Sequence, residues 1–280
     1  IKLSTLYLVS TPIGNKFDIS LRAQKVLSSV DMILCEDTKK SGILLKDLGI
    51  KNKLLSYHDH TNLLKVNYFL ELLKKGTSLA IISDAGTPLI SDPGYELVSK
   101  AIDEKIKVTP IPGPSSVISA LVSSGLSTSS FVFEGYAPKK NSQLETFLKN
   151  FQHEKRTIIL FESPKRIERL TNLIVKILGP TRKISIAKEL TKKFERVITD
   201  EAMEIHNLIK KDETLTKGEI VIVIEGSKEK QLISVEHEKV LFNEIQKLNG
   251  TKVASKILSK ISSKTSKEIY SIFVESKNDK

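Results

Sequence analysis

Short apolar runs, each followed at once by a loop of turn formers and charges, recur along the chain and constrain its fold more than any other feature. LYLV (6–9), MIL (32–34), LAII (79–82) and VTPI (108–111) are the first of them. Runs this short, bounded by turn residues, read as buried strands. Between them Ala23, Val26, Leu27 and Val30, and then Leu63, Val66, Leu70 and Leu73, stand at helical spacing. Strand and helix in alternation predict an α/β domain on a largely parallel sheet. The rhythm resumes after PGPSS (112–116), where Pro114 can open a helix and the serines can cap it. FVFE (131–134), TIILFE (157–162), KISIAKEL (183–190) and EIVIVIE (219–225) are β-branched strand candidates, and 164–178, opening on Pro164, has a helical pattern. We therefore expect an α/β fold of two domains, residues 1–113 and 114–226. A small basic helical module over 227–280 follows, its three helices separated by Asn249-Gly250 and the Ser262-Ser263 region, with Ser266 capping the last.

Composition bears on partners. A formal net charge of +11 favours polyanions such as nucleic acid, although lysine enrichment across a whole genome would raise it equally. No apolar stretch approaches the roughly 18 residues of a membrane span. The N-terminal IKLSTLYLVS is interrupted by Thr11-Pro12, so no signal peptide is expected there. Cys35 is the only cysteine, which rules out an internal disulfide and a multi-cysteine zinc site and fits a cytoplasmic setting.

The strand-end loops carry the chemistry. STPIGN (10–15) follows the first strand at the edge where open α/β sheets bind ligands, yet it matches neither a dinucleotide fingerprint nor a Walker loop. Cys35-Glu36-Asp37-Thr38 follows the second; its two carboxylates can cap the next helix or orient a substrate. His58 and His60 form a His-x-His pair without a third spaced ligand, so no metal site is expected. SDAGTPLISDPGY (83–95) packs two glycines and two prolines into a rigid loop after LAII. Such a segment holds backbone groups in preset geometry, and a ligand there has little chain entropy left to remove. Glu162-Ser163-Pro164-Lys165-Arg166 and Lys188-Glu189-Leu190-Thr191-Lys192-Lys193 set acids beside cations, able to pair internally or to hold phosphate.

STPIGN, CEDT, SDAGTPLISDPGY, IPGPSS, FESPKR, KELTKKFE and KGEIVIVIEG stand here in order. Together, over roughly residues 5–226, they resemble the tetrapyrrole methylase superfamily, and within it the branch that methylates a cytidine ribose of small-subunit ribosomal RNA. The resemblance implies S-adenosylmethionine bound in a cleft between two α/β domains, with Gly86, Thr87, Pro88, Ile90, Ser115, Ser116, Phe161, Glu162, Ala187 and Gly218 around it. It implies a 2′-O transfer to cytidine 1402 of 16S rRNA, a homodimer, and neither a membrane nor DNA as partner.

Asp37, Glu36, Glu162 and Glu189 are then the candidates to take the proton of the attacking hydroxyl. Arg22, Lys39, His58, Arg166 and Lys192, with the tail lysines, are those to meet RNA. Thr87 stands where relatives acting on small macrocycles carry aspartate. Lys39 and Lys165 replace the branch's usual arginine and histidine, and SYHDHT replaces SYHEHNE. A tetrapyrrole C-methyltransferase, which expects a small acidic substrate, and a non-enzymatic RNA-binding protein are the alternatives.

Overall fold

β1 (Thr5–Val9) lies inside a five-stranded sheet whose other members are β2 (Met32–Cys35), β3 (Leu54–Ser56), β4 (Leu79–Ile82) and β5 (Lys107–Ile111). The order is β3-β2-β4-β1-β5 and every pairing is parallel. Parallel neighbours need crossovers, and helices supply them: α1 (Leu21–Ser29), α2 (Thr38–Asp47), α3 (Leu63–Lys74) and α4 (Tyr95–Asp103). Side chains alternate across the sheet, so its faces bury different sets. Val9, Ile33, Cys35, Ala80 and Ile82 pack with Ala23, Leu27 and Leu45 from α1 and α2. Leu6, Leu34, Leu79 and Ile81 pack on the other face with Val66, Phe69, Leu70 and Leu73 of α3 and Leu97 and Ala101 of α4. Burial on both faces explains why these strands read as continuous apolar runs. This computed structural model describes residues 4–58, 63–228, 235–262 and 264–275.

α5 (Ser116–Ser123) leads from the first sheet to a second. Ser115 caps it, its hydroxyl accepting from the Ile118 N–H at 3.4 Å. The second sheet comprises β6 (Phe131–Tyr136), β7 (Thr157–Glu162), β8 (Lys183–Lys188), β9 (Arg196–Glu201) and β10 (Ile220–Ile224). Its order is β6-β7-β10-β8-β9; β6 and β7 run parallel and the remaining pairs antiparallel. Val117, Ala120 and Leu121 of α5 cover one face, against Ile159, Ala187, Val221 and Val223. The helices of this half are α6 (Asn141–Lys149), α7 (Ile167–Leu178) and α8 (Ala202–Lys211). α7 buries Ile167, Leu170, Leu173, Ile174 and Leu178, each contributing about 1.5–3 kcal/mol on removal from water.

Residues 1–149 and 156–225 form one compact unit that contains both sheets, and residues 150–155 and 226–280 form a second. The second unit carries α9 (Val235–Asn249), α10 (Thr251–Leu258) and α11 (Ser266–Glu275) around Phe242, Ala254, Leu258 and Ile269. Phe242 stacks on Phe273 at 4.6 Å. Glu238 is buried and accepts hydrogen bonds from the Ser262 hydroxyl and the Lys264 ammonium. The cap of α11 is Thr265, one residue before the expected Ser266: its hydroxyl accepts from the Glu268 N–H at 3.3 Å, while Glu268 accepts from the Thr265 N–H at 2.6 Å. That reciprocal pair is a capping box. Ser263 and His60 lie outside the described residues. Among the described residues no helix is long and apolar enough to cross a membrane.

Candidate active site

Loops after β1, β4 and β5 are stitched together by their smallest side chains. The Thr11 and Gly86 backbones exchange two hydrogen bonds, at 2.9 and 3.1 Å. The Thr11 hydroxyl donates to the Ser83 carbonyl at 3.1 Å, and the Ser83 hydroxyl donates to the Gly86 carbonyl at 3.0 Å. Ser10 donates to Thr87 at 3.2 Å, and Thr87 donates on to the Pro114 carbonyl at 3.1 Å. Gly86 occupies the left-handed region at φ +86°, and so do two residues with side chains, Leu89 (φ +72°) and Ser91 (φ +62°). Non-glycine residues persist there only where the surroundings over-determine them, so the loop is strained just beyond the bonded Gly86-Thr87 segment.

The stitched loop forms one wall of a cavity of about 420 Å³. Gly86, Thr87, Ile90, Ser115 and Ser116 line it from the first sheet and α5; Phe161, Glu162 and Gly218 line it from the second sheet. Ile13, Val117, Tyr136, Ile220 and Val221 make part of the lining apolar. Tyr136 meets Phe161 edge-on at 5.4 Å, and burial, with the Glu219 charge beside it, raises its phenol above the ordinary range. The ionisable carboxylates of the lining are Asp84, Asp92, Glu162 and Glu219, and no lysine, arginine or histidine stands among the described lining residues. Such a wall favours a cationic guest with an apolar portion.

Glu162 ends β7 with its side chain fully buried. Its Oε1 accepts from the Ser163 N–H at 2.6 Å and meets Arg166 at 2.5 Å, while Oε2 has no partner among the described residues. A buried carboxylate oxygen without a donor is costly, and a donor on a guest would relieve it. Glu189 is already engaged: Oε1 accepts from the Glu219 N–H at 2.8 Å and from Lys192 at 2.9 Å, and its carboxyl is held below the usual range by those bonds, the backbone one foremost. Lys192 also reaches Glu219 at 3.0 Å, so the loop after β8 is tied to the residue just before β10. Thr191, in turn, accepts from the Asn15 N–H at 3.1 Å, joining that loop to STPIGN of the first sheet.

A second cavity, of about 590 Å³, is lined by Glu36, Asp37, Thr38, Lys39, Lys40, His58 and Asp84. Asp37 caps α2: its Oδ1 accepts from the Lys39 N–H at 2.8 Å and the Lys40 N–H at 3.2 Å, and those two backbone bonds lower its carboxyl below the ordinary range. Capping, which the sequence left open against substrate contact, is what the carboxylate does here. Glu36 is exposed at the rim. Asp84 lines both cavities.

Of the residues singled out in the sequence, eight line the first cavity. Pro88 is buried beside it, and Ala187 sits in the core of the second sheet. Lys39 and His58 line the second cavity, Arg22 is exposed on α1, and Arg166 and Lys192 are held by Glu162 and by the Glu189–Glu219 pair. Sequence reading did not single out Ile13, Asp84, Asp92, Tyr136 and Glu219 as lining residues. The signal available for Asp84 was its place two residues after LAII, in the loop at the strand's C-terminal edge, where open α/β sheets bind ligands. Among the described residues no cluster of three or more His, Cys, Asp or Glu is arranged to hold a metal.

Two sheets whose strand-end loops close on one acid-lined cavity define a two-lobed methyltransferase fold. Solved structures share it: uroporphyrin-III C-methyltransferase from Thermus thermophilus, at a TM-score of 0.56 and 17% identity, covers 79% of this chain and 94% of its own. A cobalt precorrin-4 methyltransferase matches at a TM-score of 0.57 and 18% identity over 79% of this chain and 94% of its own. The chain belongs to the tetrapyrrole (corrin/porphyrin) methylase family, whose model matches residues 5–206. It is 43% identical over 221 residues to ribosomal RNA small subunit methyltransferase I of Pasteurella multocida, covering 79% of each chain. The protein of the same name from Xylella fastidiosa is 38% identical over 266 residues, 95% of this chain and 97% of that one.

Proposed function

We propose that the protein transfers a methyl group from S-adenosylmethionine to the ribose 2′-hydroxyl of a cytidine in 16S rRNA of the small ribosomal subunit. The observation that carries the reading is the first cavity, lined by four carboxylates and an apolar patch with no cationic side chain among its described residues. A sulfonium-bearing amino acid joined to a nucleoside has matching features: a net positive charge, and a flat purine whose faces suit an apolar wall. When bound, it supplies an electrophilic methyl group.

The chain's own residues then do the rest. The Gly86–Ile90 segment and Ser115-Ser116 hold the guest from the first α/β domain (1–113) and the start of the second (114–226). Phe161, Glu162 and Gly218 close on it from the second sheet, and the orphaned Oε2 of Glu162 takes one of its donors. Alignment inside a walled cavity supplies much of the acceleration, because the donor is intrinsically reactive. The second cavity, with Lys39, Lys40 and His58 on its wall, receives the acceptor nucleotide, whose phosphates the cations neutralise. Relatives at 38–43% identity carry ribosomal RNA in their names and those at 17–18% carry macrocycles, which supports RNA over an acidic macrocycle.

Incubation with radiolabelled S-adenosylmethionine and small subunits from cells lacking the gene, followed by digestion to nucleosides, tests the reading. Label in 2′-O-methylcytidine is the expected result; label on a base carbon, or none in RNA, overturns it. Glu162→Gln, which removes one of the four carboxylate charges lining the cavity, should weaken cofactor binding about tenfold in calorimetry, the scale of one charge-assisted hydrogen bond.

A further inference from the structure

Asp84 is placed unlike any other carboxylate of the site. It stands two residues after β4 and two before Gly86, and it lines both the first cavity and the second. A group that must serve donor and acceptor together has to stand where the two spaces meet, and Asp84 stands there.

The other carboxylates are disposed differently. Asp37 and Glu36 line the second cavity only, Glu162 lines the first only, and Glu189 is in the lining of neither. Asp84 is held in place by a donor on each oxygen. Its Oδ1 accepts from the Asp37 N–H at 3.3 Å and its Oδ2 meets Lys40 at 2.9 Å, while a quarter of the side chain stays exposed. Lys40 is itself 68% exposed, and turning its ammonium toward an incoming phosphate would release Asp84 Oδ2 to accept a proton.

We propose that Asp84 is the catalytic base of the transfer, an inference that rests on the reading of the acceptor as an RNA ribose hydroxyl in the second cavity. The hydroxyl oxygen forms a bond to the methyl carbon as the carbon–sulfur bond breaks, the electron pair of that bond returning to sulfur. The hydroxyl proton passes to the Asp84 carboxylate and from there to water. The neutral thioether, the methylated ribose and one released proton balance the step. The charged and titratable groups around Asp84 are Lys40 and Lys39 of α2, Asp37 and Glu36 ahead of it, Cys35 at the end of β2 and His58 after β3, with Asp92, Tyr136, Glu162 and Glu219 in the lining of the first cavity.

Single-turnover transfer at saturating S-adenosylmethionine and small subunit, measured against pH, tests the assignment. Wild type should climb along a one-proton acid limb to a plateau, and Asp84→Asn should run about 100-fold slower with that limb gone. Asp84→Glu, which retains a carboxylate, should retain the limb. An Asp84→Asn rate within about threefold of wild type overturns the proposal, and so does a slow variant that keeps the limb, since the carboxylate would then act only by holding Lys40 and α2. Should Asp84→Asn fail to fold, loss of the limb in folded Asp84→Glu overturns it. Absence of ribose label from wild type itself would overturn the rRNA reading instead.

Discussion

At Gly218, on the second-sheet side of the first cavity, the backbone has φ +82°, and a Cβ would fall 2.6 Å from three atoms of the Glu189 side chain. Glu189 cannot yield easily, because its carboxylate is fixed by the Glu219 N–H and Lys192 and its own backbone is already left-handed at φ +50°. Gly218→Ala therefore combines a left-handed penalty with displacement of the carboxylate, together about 2 kcal/mol. We expect a lower urea midpoint at unchanged slope, and weaker S-adenosylmethionine binding by calorimetry because Gly218 lines the cavity. An unchanged midpoint would show that the loop after β8 moves aside freely. At this scale Glu36, Asp37, Glu162 and Glu189 look alike in sequence, all acids at strand ends. What separates them is which oxygens already hold donors, a property of distances that neighbouring letters do not encode.

Between elements, His206 of α8 meets the Thr171 hydroxyl of α7 at 3.0 Å, and both residues are buried. Burial, aided by Lys210 one turn on, pushes the imidazole below its ordinary value of 6.5. The folded state then binds fewer protons than the unfolded chain, so the contribution is present above about pH 6.5 and is lost as pH falls toward the lowered folded value. His206→Gln, which keeps a polar partner for Thr171, should flatten the fall in urea midpoint between about pH 7 and pH 5 relative to wild type. An equally steep fall in the variant would move the cause to another group.

The elements themselves were legible to different degrees. The buried strands announced themselves because both faces are covered. β9 was not singled out because an edge strand reading RVITDE shows exposed charge rather than an apolar run. β3 is three residues long. The antiparallel course of β8 and β10 was also hidden, since IVIVI buried on both faces reads the same in either direction. The start of α2 was visible as an acid-rich cap, and the loop after β4 as a rigid segment, which the structure places on a cavity wall. The role of the Ser10 and Thr11 hydroxyls in tying that loop was not, because their partners lie 77 and 72 residues away.

Over the whole molecule, the net charge of +11 favours RNA without saying where RNA lies, and its test is thermodynamic. In the second compact unit Lys252, Lys256 and Lys260 recur every fourth residue, and all three are exposed while Ala254 and Leu258 face the unit's core. Spacing of four brings side chains to one side of a helix, so α10 and its last turn present a basic stripe. The proposed function gives that stripe phosphates to meet. Each phosphate neutralised releases condensed counterions, contributing about 0.7 to 0.9 to the slope of log affinity against log salt. Changing the three lysines to glutamine should therefore lower the slope by about 2 and weaken binding to small-subunit RNA irrespective of sequence. Single-turnover rates at saturating RNA should stay near wild type, because a phosphate contact positions the target without taking part in the transfer. A slope unchanged by the triple substitution would show that Lys252, Lys256 and Lys260 meet no phosphate.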